Sequence, residues 1–149
     1  MHIDLGTTAF WDRIKKDPAR LASEVCSVDV INLDETLQHH AALRAWVNAA
    51  YETARIGEER IKWEETKARA IALLAAKAEP DPDTGKPKTV AVLNAEVDLT
   101  QEVQTIVDQL LNQQEMRGTL RAMTNALEDR KDTLIQIAAK QRKELGDYN

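Results

Sequence analysis

The chain has 149 residues, 25 acidic against 20 basic for a net charge of -5, with 43% hydrophobic and only 4% aromatic residues. One domain of ordinary size is expected, overall attraction to nucleic acid or an anionic membrane is excluded, and any polyanion site must be local. The lone Cys26 excludes an internal disulfide and a cysteine metal cluster, while the absence of a ~18-residue apolar run or a signal-peptide pattern leads us to expect a cytoplasmic protein that does not span a membrane.

Residues 1–33 form a short, broken N-terminal helical segment. Thr8 can cap a turn carrying Phe10, Trp11 and Ile14, and Asp17-Pro18 then supplies a cap followed by proline at the first helical position, with Leu21 and Val25 on one side. The apolar residues of these short helices need the main body or a partner to lie on.

Residues 34–79 read as one long helix. Asp34 is a good N-cap, there is no proline from Asp34 to Ala78, and small or apolar residues recur every 3.5 positions through Leu43, Val47, Ala50, Ala54, Gly57, Ile61, Ala68, Ile71 and Ala75. Glu64 interrupts this seam, and Gly57 weakens the helix by ~1 kcal/mol relative to alanine. A second stripe of Trp46, Ala49, Ile56, Trp63, Ala70 and Leu74 makes the apolar face wider than one partner helix needs.

Residues 80–99 change character. "EPDPDTGKPK" stops the helix, and "TVAVL" alternates in a β-prone manner, predicting a loop and a short strand. Asp98 with Gln101, or Thr100, can cap a second long helix over 100–146, whose apolar positions run from Val103, Ile106 and Leu110 to Leu134 and Ile137; Gly118 can bend it. Two helices of roughly 45 residues would each extend about 65 Å, and the connection lets the second return along the first. The expected fold is therefore mainly all-α, a long antiparallel hairpin with a short β element in its connection. Because a hairpin buries one side of each helix, the second stripe predicts a homo-oligomer.

Catalytic signals are lacking. There is no glycine-rich phosphate loop and no serine or cysteine nucleophile with a base at readable spacing, so a non-enzyme without cofactor is expected. His39-His40 lies near Glu35, but no second carboxylate-histidine pair exists to complete a metal site, and packed or surface histidines are the simpler reading. A second basic cluster, Arg130-Lys131 and Lys140 to Lys143, complements a helix C-terminus. Lys86 and Lys88 lie in the proline-rich loop.

"EERIKWEETKAR", residues 58–69, carries the most chemistry. Arg60, Trp63 and Lys67 fall on one helical face. Glu58 precedes Lys62, and Glu65 precedes Arg69, by four residues, the favourable order for intrahelical pairs of about 0.2 to 0.5 kcal/mol each. Glu64 can serve both Arg60 and Lys67, leaving positive charge in excess around Trp63. An aromatic ring beside cations suits unpaired bases and their phosphates. It also suits a helix contact, with arginine stems laid over the indole. On spacing alone the helix contact is the simpler of the two.

Three stretches together, "VDVINLDETLQHHAALRAWVNAAYETA", "ETKARAIALL" and "TVAVLNAEVDLTQEVQTIVDQL" with "LRAMTNALEDRKDTLIQIA", resemble the UvsY-type recombination mediators of tailed phages over roughly residues 24–143. The N-terminal residues with Phe10 and Trp11 have no counterpart in that pattern. The resemblance implies a helical protein of the phage-infected bacterial cell that assembles into a ring, binds single-stranded DNA and helps a RecA-like recombinase replace single-strand-binding protein. Its Lys-Ala-Arg step maps onto Lys67 and Arg69. With Arg60, Lys62 and Trp63 these form the expected nucleic-acid-binding set. The rival expectation is an oligomeric scaffolding or phage assembly factor in which Trp63 is buried.

Overall fold

Asp17 and Pro18 open the first helix as their spacing predicts: the Asp17 carboxylate accepts from the Arg20 amide at 3.0 Å, and proline occupies the first turn, where it withholds no needed donor. In the computed structural model, which describes residues 12–14, 16–27 and 33–146, four helices follow in order: α1 (Pro18–Cys26), α2 (Leu33–Ala78), α3 (Val90–Asp98) and α4 (Gln101–Gly146). The expectations for Thr8, Phe10 and Trp11 lie outside the described residues. Among the described residues no strand is present, and no helix is long and apolar enough to cross a membrane.

The chain divides into two compact units, Met1–Thr53 with Met116–Asn149, and Ala54–Glu115. In the first, the beginning of α2 packs with the end of α4 in antiparallel sense, since His40 meets Arg130 and Arg44 meets Glu128. Its core contains Val47 and Ala50 from α2, and Leu120, Met123, Leu127 and Leu134 from α4, the latter at heptad-like spacing. Ile14, Leu21 and Val25 of the N-terminal segment are buried as well, so the described part of that segment lies on this unit's own body. Arg130 fastens it by donating to the Ser27 carbonyl at 2.8 Å.

In the second unit the later half of α2 packs with α3 and the start of α4. Ala68, Val97 and Val103 form a buried cluster flanked by Ala72, Leu73, Ile106 and Val107. Gln113 donates from its amide to the Ala54 carbonyl at 2.9 Å, against Gly57; a Cβ at Gly57 would stand 2.7 Å from that amide nitrogen. The glycine that weakens α2 locally is thus the place where another side chain reaches its backbone. The connection is a tight turn: the Asp81 carboxylate accepts from the amides of Asp83 and Thr84, and Gly85 takes a φ of 66°, which a side chain would strain. Lys88, whose side chain is 5% exposed, donates to Glu96 at 2.7 Å and ties the turn to α3.

The short β element expected at "TVAVL" is corrected. These residues begin α3, capped by the Thr89 hydroxyl, which accepts from the Val92 amide. Leu93 and Val97, four apart, share a helical face and are buried, whereas Val90 and Val92 remain exposed. β-propensity reflects fit to a pleated neighbour, and beside a pair of helices only the i, i+4 pair finds an apolar surface. The expected caps of α4 are differently used. Thr100 accepts the Gln104 amide through its carbonyl while its hydroxyl turns back to the Glu96 carbonyl, and Asp98 binds Arg69.

The seam also departs from strict heptads beyond Ala68. Ile71 and Ala75 are exposed, and Ala72 and Leu73 take their places against the core. A straight helix drifts ~20° per heptad, so four heptads rotate the predicted face by about 80°.

Candidate nucleic-acid interface

Trp63 stands out because burial has not claimed it: the residue is 66% exposed, on the outer side of α2 in the second unit. Its stripe companions Ile56 and Leu74 are likewise exposed. The Lys67 ammonium lies over the indole, 5.6 Å from the ring centroid, an attraction worth about 0.5 to 1 kcal/mol at an exposed site. Spacing of four residues along one helix makes this contact local and preformed. Arg60 is exposed on the same side, and neither it nor Lys67 forms an ion pair among the described residues. The expected sharing of Glu64 between them is therefore not made. Two cations and one aromatic face remain open to a ligand.

The other two expected contacts are differently employed. Lys62 Nζ lies 2.7 Å from Glu58 Oε1, and Glu58 is only 2% exposed. A buried carboxylate needs its cation far more than a solvated one does, so Lys62 serves α2 itself. Arg69 holds Glu65 through Nε at 2.8 Å and reaches Asp98 through Nη1 at 2.5 Å. Asp98 first, then Glu65, push the guanidinium's pKa up, and the arginine stands as a clamp between α2 and the end of α3. Of Arg60, Lys62, Trp63, Lys67 and Arg69, the structure leaves the first, third and fourth available. Glu58 could have been found from sequence: it follows Ala54 by four residues and precedes Ile61 by three, so the core-facing side of α2 passes through it. Asp98 is 29 residues from Arg69 and has no such local signal.

The remaining clusters divide similarly. His39 is exposed and His40 5% exposed, as consecutive residues on a helix point about 100° apart. His40 Nδ1 sits 3.3 Å from Arg130 Nη1. Burial pushes its pKa down, and the nearby charges of Arg130 and Arg44 push it further. Arg130 can only donate, so Nδ1 accepts and the ring is neutral with its proton on Nε2, which has no hydrogen-bond partner among the described residues. Lys131 bonds Glu128 at 2.7 Å, so the Arg130-Lys131 pair belongs to the core's polar edge. Lys140, Arg142 and Lys143 are exposed near the end of α4. No group of three histidine, cysteine or carboxylate side chains among the described residues could hold a metal.

Comparison with protein families, with characterised proteins and with solved structures gives no match to this chain.

Proposed function

We propose that this chain binds single-stranded DNA through the outer face of α2 and acts as a recombination mediator, helping a RecA-like recombinase onto DNA covered by single-strand-binding protein. The observation that carries the proposal is the exposed Trp63 ring with Lys67 above it and Arg60 on the same helical face, neither cation engaged by a carboxylate among the described residues. A base stacked on such a ring gains ~1 to 3 kcal/mol, and the cations hold its phosphates. The chemistry requires no bond making, metal or cofactor. One such face is weak, and the exposed Ile56 and Leu74 supply surface for self-association. A homo-oligomeric ring would repeat the face and convert modest contacts into avidity. Strand held in a shape preferred by the recombinase and disfavoured by the single-strand-binding protein shifts the exchange between them. Such a protein works in the cytoplasm of a phage-infected bacterium.

The exposed Ile71, Val90, Leu99 and Leu111 favour a second reading, an oligomeric scaffold or phage assembly factor that ignores DNA. A salt titration of oligothymidine binding separates the two. The mediator reading expects binding at low salt that weakens as salt rises, and loss of that binding with the oligomer intact when Arg60 and Lys67 are both replaced by alanine. Absence of binding at low salt, or dissociation of the oligomer by that double substitution, supports the scaffold.

A further inference from the structure

The open face of α2 does not end at Lys67. Arg60, Trp63, Lys67, Ala70, Leu74 and Lys77 follow one another at intervals of three and four residues, the repeat that keeps side chains on one side of a helix, and all six are exposed. Between residues 60 and 77 there are five cations, Arg60, Lys62, Lys67, Arg69 and Lys77, against two carboxylates, Glu64 and Glu65. At 3.6 residues per turn Glu65 points to the far side from Trp63, Glu64 borders the stripe about 40° beyond Arg60, and the exposed Glu59, about 40° from Trp63 on its other side, closes the N-terminal end of the stripe. Glu65 is moreover held by Arg69. A chain with a net charge of -5 thus presents, on one helix within one unit, a narrow lane that from Trp63 to Lys77 carries two cations and no acid, with Arg60 at its margin.

From this we infer that a single strand runs along the axis of α2 from Arg60 to Lys77, with one base on Trp63, the apolar surface of Leu74 beneath a later base, and Lys77 as the far phosphate contact. The inference rests on the single-strand reading above and adds to it a direction, an extent and a residue. Seventeen residues of helix rise about 25 Å. That length matches about seven phosphates at the ~3.4 Å per-strand spacing of stacked DNA, and fewer in a stretched strand. Leu74 is 69% exposed and offers apolar surface to a base. Lys77 also complements the C-terminal dipole of α2, but that local effect asks for no alignment with Trp63. A strand lying across the helix would meet Glu64 within one residue of the indole, whereas a strand running from Trp63 toward Lys77 has no carboxylate on its line.

The test compares wild type, Arg60→Gln, Trp63→Ala and Lys77→Gln for binding of fluorescein-labelled oligothymidine by anisotropy across a salt series, with oligomeric state recorded for each. Loss of one phosphate contact lowers the slope of log K against log salt by about 0.7. Lys77→Gln should produce that decrease, equal to the decrease from Arg60→Gln, while the quenching of tryptophan fluorescence at saturation persists. Binding that depends on Arg60 and Trp63 but keeps its full salt slope in Lys77→Gln overturns the axial path and leaves the single-strand reading standing. Wild type that fails to bind, or binds equally without Trp63, overturns both. A Lys77→Gln chain that changes its oligomeric state shows the lane covered by a second copy, which also overturns the axial path.

Discussion

Replacing Gly57 by alanine sets two effects of similar size against each other. Alanine in a helix interior is favoured over glycine by ~1 kcal/mol. The added Cβ, however, would stand 2.7 Å from the Gln113 amide nitrogen, too close for both to remain. What must move is the far end of a flexible side chain, so the displacement itself costs little. The move breaks the 2.9 Å bond to the Ala54 carbonyl, worth about 0.5 to 1.5 kcal/mol net. The two contributions nearly cancel, and Gly57→Ala alone should change stability by less than about 1 kcal/mol. In a chain that already carries Gln113→Ala, the same substitution should gain the whole ~1 kcal/mol, raising Tm by about 2 to 4 °C for a protein of this size. Urea unfolding of the four chains at one protein concentration measures the cycle, whose coupling should be about 1 kcal/mol. Two results refute the reasoning: Gly57→Ala destabilising by more than about 2 kcal/mol whether or not Gln113 is present, or stabilising equally in both backgrounds. The first would mean that backbone fills the space, and the second that the carboxamide does not lie there.

Gly118 is the contrasting glycine, in the interior of α4 with open space where a Cβ would go; Gly118→Ala should stabilise by up to ~1 kcal/mol, read by thermal unfolding. His40 has its pKa lowered in the folded chain, so near and below pH 6.5 the unfolded chain binds the extra proton; stability should be full above that pH and decline as pH falls through it. His40→Gln should flatten that stretch of a stability-pH curve. It should leave a later loss below about pH 4.5, where Glu128, whose pKa is lowered chiefly by its bond to Lys131, becomes protonated. Lys62→Ala, by removing one ion-pair partner of the buried Glu58 carboxylate, should cost more in urea unfolding than Lys67→Ala, for which less than about 0.5 kcal/mol is expected. Similar losses for the two lysines would show that Glu58 does not depend on Lys62.

Much of the candidate site was legible before any tertiary information. The alignment of Arg60, Trp63 and Lys67 follows from helical period alone. So do the pairs Glu58–Lys62 and Glu65–Arg69, which the structure forms at 2.7 and 2.8 Å. The Asp17-Pro18 start was equally readable, since a cap needs only the residues next to it. What the sequence left open at this site was which cations are already engaged. That depended on Glu58 being turned inward and on Asp98 arriving from α3 to take Arg69.

The amino-acid order by itself determined the two long helices, their antiparallel pairing within each unit and the stripe that carries Trp63, because these rest on interactions between residues one to four apart and on a connection over 80–99 that lets the second helix return. Tertiary structure alone decided that Val90–Asp98 is helix rather than strand, that Ile71 and Ala75 yield their place to Ala72 and Leu73, and that Gly57 admits Gln113. Each of those outcomes turns on which side of a helix meets a neighbour distant in sequence. A drift of ~20° per heptad is enough to change that side without changing any local preference.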